Sequence, residues 1–120
     1  MQFNALSTKD LEDMLKAVND LERKYKDKKR ISRYSGEGRY IGSRFCPLCQ
    51  LVGYKSSTAS DFRKNCVIYC PWGVIEGIRA DNFLCHTGGY RNQSTEERLH
   101  RVARWQSLIK EAISAKTKKI

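Results

Sequence analysis

All five cysteines of this 120-residue chain fall between positions 46 and 85, and all eight glycines fall between positions 36 and 89. A segment so broken by glycine, with few long apolar runs, needs a metal or a cross-link to hold it. The cysteines run Cys46-Pro47-Leu48-Cys49, then sixteen residues, Cys66-x3-Cys70-Pro71, and finally Cys85-His86. Two cysteines separated by two residues turn both sulfurs toward one point. A second pair about 15–20 residues on completes a tetrahedron around zinc. The spacing therefore predicts one structural Zn2+ as cofactor.

Five thiols exceed the four positions of that ion, so one is spare. An extended Cys66-Val67-Ile68-Tyr69-Cys70 run, as the β-branched Val67 and Ile68 favour, would hold its end Cα atoms about 13 Å apart at ~3.3 Å per residue. On that reading Cys66 is a buried apolar thiol, and the ligands are Cys46, Cys49, Cys70 and Cys85. Cys66 stands in reserve, then His86. The set Cys46, Cys49, Cys66 and Cys70 remains open, and an iron–sulfur cluster would use the same donors. A disulfide framework fits poorly with an odd cysteine count and no secretory leader among the first ten residues. A redox dithiol at Cys46 and Cys49 would want a strand before it and a helix after it, an order not readable here.

The flanks read as helices. Leu11, Met14, Leu15, Val18, Leu21 and Tyr25 recur at helical spacing, and Ser7 with Asp10 supplies a start signal, predicting a helix over about 8–28. Ser94 and Glu97 open a second helix over 94–116, whose apolar stripe includes Leu99, Val102, Ala103, Trp105, Ile109, Ala112 and Ile113. Between them, Arg39–Phe45, Gln50–Tyr54, Cys66–Tyr69 and Val74–Ile78 read as short β-like runs. The expected fold is one α+β domain over 1–120. Two amphipathic helices, N- and C-terminal, flank a small β-hairpin zinc-ribbon or knuckle-like module over 39–90. Residues 11, 14, 18, 21 and 25 also keep a heptad spacing, so both a monomer and a homodimer are open.

Residues 45–90, with Cys46-Pro-Leu-Cys49, Cys70-Pro71, and Cys85 followed by Tyr90, resemble small cysteine-rich proteins of bacteriophages and their bacterial hosts. The resemblance implies zinc and a viral origin, and no reaction. At Cys66 the chain departs from that pattern, with three residues instead of two before Cys70.

Charge supplies the functional expectation. The chain carries 23 Lys and Arg against 13 Asp and Glu, net +10, with a mean hydropathy of −0.63 and no apolar run fit to cross a bilayer. Residues 1–22 hold two Lys against five acids, whereas residues 23–44 hold nine basic side chains against two acids. Lys28, Lys29, Arg30, Arg33, Arg39 and Arg44 surround Tyr34 and Tyr40, and Arg98, Arg101 and Arg104 recur every three residues. Cations meet phosphates and interleaved aromatics stack on unpaired bases, so DNA or RNA is the expected partner. The alternative is a phage-type protein-interaction module or inhibitor acting on an acidic or nucleic-acid-binding host protein. No membrane partner is expected; the composition suggests an intracellular protein, and the resemblance to phage and bacterial proteins implies a bacterial or phage-infected host cytoplasm.

Catalysis is not expected. Zinc deaminases need His-x-Glu with Pro-Cys-x-x-Cys, which is missing, and two histidines are too few for a histidine-rich nuclease. Cys85 and His86 are adjacent, so in extended chain they point oppositely. Gly36-Glu-Gly38-Arg-Tyr-Ile-Gly42 neither matches G-x-G-x-x-G nor opens a helix.

Overall fold

The computed structural model describes residue 3 and residues 6–27, 46–77 and 94–117. Five helices occur in the order α1 (Thr8–Lys26), α2 (Pro47–Tyr54), α3 (Ala59–Tyr69), α4 (Pro71–Val74) and α5 (Thr95–Thr117).

The two long helices start where their caps dictate. Ser7 Oγ accepts from the Asp10 amide at 3.1 Å and the Ser7 amide donates to Asp10 Oδ2 at 3.2 Å, a closed capping box. Ser94 and Glu97 repeat the device, with the Glu97 amide donating to Ser94 Oγ at 3.1 Å. α1 buries Leu11, Met14, Ala17, Val18, Leu21 and Tyr25, and α5 buries Val102, Trp105 and Ile109. These two stripes face each other, and α2 packs on α1 beside them. Outside the apolar seam, Gln106 Nε2 donates to Asn19 Oδ1 at 2.9 Å and ties α5 to α1.

The middle of the chain corrects the α+β expectation. Helix accounts for about 82% of the described residues, with no strand among them. Gln50–Tyr54 belongs to α2, where Pro47 occupies the first turn and its missing N–H costs nothing. Leu48 and Val52, four apart, face the core. Cys66–Tyr69 ends α3, whose N-cap Thr58 accepts from the Asp61 amide at 3.1 Å. Phe62, Cys66 and then Cys70 turn inward at four-residue intervals, while Val67 and Ile68 stay 38% and 39% exposed. Burial of that periodic face outweighs the modest β-preference of two branched side chains. Val74 closes α4, and the chain leaves it through Ile75, Glu76 and Gly77, the last in left-handed backbone at φ 75°. The β-like run Arg39–Phe45 lies outside the described residues.

α3 and α4 meet closely across Cys70, which ends one helix and caps the next. α4 presents Trp72 to α5, where its ring meets Trp105 edge-on, centroids 5.1 Å apart and planes at 83°. Glu76 Oε2 then accepts from Trp105 Nε1 at 2.9 Å. This cluster joins the cysteine-bearing helices to the long pair.

Candidate functional site

Cys46 is the N-cap of α2, in extended backbone at φ −92° and ψ 123°, and Cys49 stands three residues on, inside the first turn. The neighbours that act on the Cys46 thiol are Cys49 and the main chain of Leu48 and Cys49. Cys46 is 0% exposed while Cys49 is partly exposed. Burial, first, and then the neighbouring Cys49 thiol push the Cys46 thiol well above its ordinary range, and the two amides only partly offset this. The pair is one half of a sulfur cradle. Two soft donors three residues apart at a helix start match what zinc takes from a C-x2-C step.

Cys66 and Cys70 are both buried and lie one helical turn apart, the Cys70 amide donating to the Cys66 carbonyl at 3.2 Å. Four residues of helix rise about 6 Å, not the 13 Å of an extended run. The distance argument that set Cys66 aside is therefore corrected: both sulfurs belong to one helical face. Among the described residues, no three Cys, His, Asp or Glu side chains are grouped as around an ion. Cys85 and His86 lie outside the described residues. The Cys46–Cys49 pair offers two donors of the kind a structural zinc takes.

Of the residues expected to meet nucleic acid, Lys28, Lys29, Arg30, Arg33, Tyr34, Arg39, Tyr40 and Arg44 lie outside the described residues. Arg98, Arg101 and Arg104 are in α5, and each meets a side chain of another helix or its trailing turn. The Arg98 guanidinium lies 5.7 Å from the Tyr25 ring centre and that of Arg101 4.9 Å from Trp72. Arg104 Nη1 donates to Glu76 Oε2 at 3.0 Å, with its side chain still 56% exposed. An open groove of about 520 Å³ runs along this face, lined by Ser94, Glu96, Glu97, His100, Arg101 and Arg104. Two carboxylates thus stand among its cations.

No known protein family, curated protein or solved structure matches this chain. No helix among the described residues is long and apolar enough to cross a membrane.

Sequence reasoning did not single out Lys55, Tyr54 or Glu76. Lys55 Nζ reaches Asp10 Oδ1 at 3.1 Å and Asp13 Oδ2 at 3.9 Å and lies 4.8 Å from the Tyr69 ring centre, so one cation links α1, α2 and α3. Burial alone would raise the Asp10 carboxyl, but hydrogen bonds from Lys55 and Ser7, with the Lys55 charge, hold it below its ordinary value. Tyr54, at the end of α2, is 92% exposed beside Lys9, Lys16 and Gln50 in a second, shallower groove. Nothing local marks Lys55 or Glu76 in the sequence, because their partners are 45 and 28–29 residues away.

Proposed function

We propose that this chain is a non-catalytic nucleic-acid-binding protein that carries one structural zinc ion. The carrying observation is the row Arg98, Arg101 and Arg104 on α5, oriented by Tyr25, Trp72 and Glu76 on a chain of net charge +10. A guanidinium held against a ring by cation–π attraction is already partly ordered, so less freedom is lost when it meets a phosphate. Lys28, Lys29, Arg30, Arg33, Arg39 and Arg44 would extend that contact along a backbone, with Tyr34 and Tyr40 stacking on unpaired bases. Zinc would be held by Cys46 and Cys49 together with Cys70 and Cys85, supplying order to the glycine-rich centre and leaving no open position for catalysis. The reducing cytoplasm of a bacterium or phage-infected cell suits such thiolates.

Fluorescence anisotropy with a labelled mixed-sequence oligonucleotide tests the reading. Affinity should fall steeply as salt rises, because each neutralised phosphate releases a counterion. Arg101→Glu with Arg104→Glu should weaken binding to every sequence alike, with helix content by circular dichroism unchanged. Salt-insensitive or undetectable binding, with recovery of one acidic protein from cells, would support the inhibitor reading instead. Elemental analysis should find about one zinc per chain, and Cys49→Ser should lose it.

A further inference from the structure

We propose that the groove along the N-terminal half of α5 holds one unpaired guanine nucleotide of a nucleic-acid strand, its phosphate at Arg104 and its base edge at Glu96. This assignment rests on the nucleic-acid reading and names the base that the strand must present. Glu96, His100 and Arg104 follow one another at four-residue intervals. On α5 they therefore form one ridge in the order carboxylate, imidazole, guanidinium. All three are exposed and line the groove of about 520 Å³. That volume falls within the ~300–1,000 Å³ of small-ligand sites.

Charge decides what can lie there. A strand cannot run its phosphates along the whole ridge, because Glu96 and Glu97 would repel them at its N-terminal end. The ridge instead matches a single nucleotide laid lengthwise. Eight residues of helix from Glu96 to Arg104 rise about 12 Å, comparable with the span from a nucleotide's phosphate to the outer edge of its base. Arg104 gives Nη1 to Glu76, and a guanidinium has five N–H donors in all, so others can meet a phosphate. Between the two ends, the His100 ring offers a face on which a base stacks.

Glu96 selects the base. Glu97 is committed to the helix start, its Oε1 accepting from Ser94 Oγ at 3.2 Å, so Glu96 is the reading carboxylate. An ionised carboxylate only accepts, through two oxygens side by side. Guanine is the one common base whose Watson–Crick edge presents two adjacent donor groups, N1–H and the N2 amine, and it alone meets both oxygens. Adenine and cytosine set one amine beside a ring-nitrogen lone pair. Uracil and thymine set one N–H between two carbonyls. Each of these turns a lone pair toward the carboxylate, at the cost of an unmet or repelled acceptor.

The test uses fluorescence anisotropy on the full chain with short labelled oligothymidylates carrying one central guanine, adenine, cytosine or hypoxanthine, beside an all-thymidine strand. At low salt the guanine strand should bind roughly tenfold more tightly than the adenine, cytosine and all-thymidine strands. Hypoxanthine, which lacks the N2 amine, should fall between. Glu96→Gln should level the series without weakening the all-thymidine strand, whereas His100→Ala should weaken every strand by a similar factor. Circular dichroism checks the helix content of both variants, and the base series on wild type stands without them. Equal affinity for every strand, a preference for cytosine or adenine, or a guanine preference that survives in Glu96→Gln would overturn the proposal and leave the nucleic-acid reading standing. No binding of any strand at low salt would overturn both.

Discussion

A methyl group at position 73 would collide with the Cys66 carbonyl oxygen and the Val67 Cα, both main-chain atoms that cannot swing aside. Gly73 is thus where α4 approaches the end of α3, a requirement of space. Gly73→Ala should lower stability by roughly 1–3 kcal/mol as the two helices part, read from urea midpoints. Nothing in the sequence distinguished this glycine from the other seven. Ser7 was legible because its partner lies three residues away, but the same Asp10 also takes Lys55 across 45 residues. That carboxyl is held below its ordinary value, so the unfolded chain binds the proton more tightly. Its contribution is complete above the unfolded value of about 4 and is lost as pH falls through the lower folded one. Urea midpoints at neutral and strongly acid pH should differ less in Asp10→Asn than in wild type.

At the scale of elements, α3 is the sharpest lesson. Val67 and Ile68 favour a strand in isolation, yet a strand would alternate faces, setting Val67 opposite Cys66 and Ile68. The helix instead leaves Val67 and Ile68 outward together and turns Phe62 and Cys66 in. Val67→Thr and Ile68→Thr should therefore each shift stability by no more than about 0.5 kcal/mol. Phe62→Ala, which empties a buried site, should cost about 3–5 kcal/mol. Chemical denaturation of the three variants separates helix from strand, because a strand that buries Cys66 would also bury Ile68, and Ile68→Thr would then cost far more than Val67→Thr. α1 and α5 were readable to within about two residues at their ends because cap, charge and apolar period agree along each. In α2 and α3 those signals conflicted, and shorter windows held too few periods to choose between 2 and 3.6.

For the whole molecule, Trp105 is where the parts converge. Its ring is fully buried, meets Trp72 of α4, and donates to Glu76, which also receives Arg104. Trp105→Ala should lower stability by about 3–5 kcal/mol and release Trp72, with a loss of near-UV circular dichroism larger than that of helix signal. The same connection ties the proposed function to the fold, since the partners that orient the arginine row come from α1, α4 and the turn after α4. The three-residue recurrence of arginines was visible at once; that each would meet Tyr25, Trp72 or Glu76 was not. What the sequence determined by itself was the presence and approximate span of the two long helices, the excess of positive charge and the spacing of Cys46 and Cys49, since each is written within about one helical period or in composition alone. Tertiary structure decided that the middle is helical, that Cys66 and Cys70 share a face, and that the α5 arginines have partners within the chain. Those outcomes depend on which surfaces meet across tens of residues, where burial outweighs local preference.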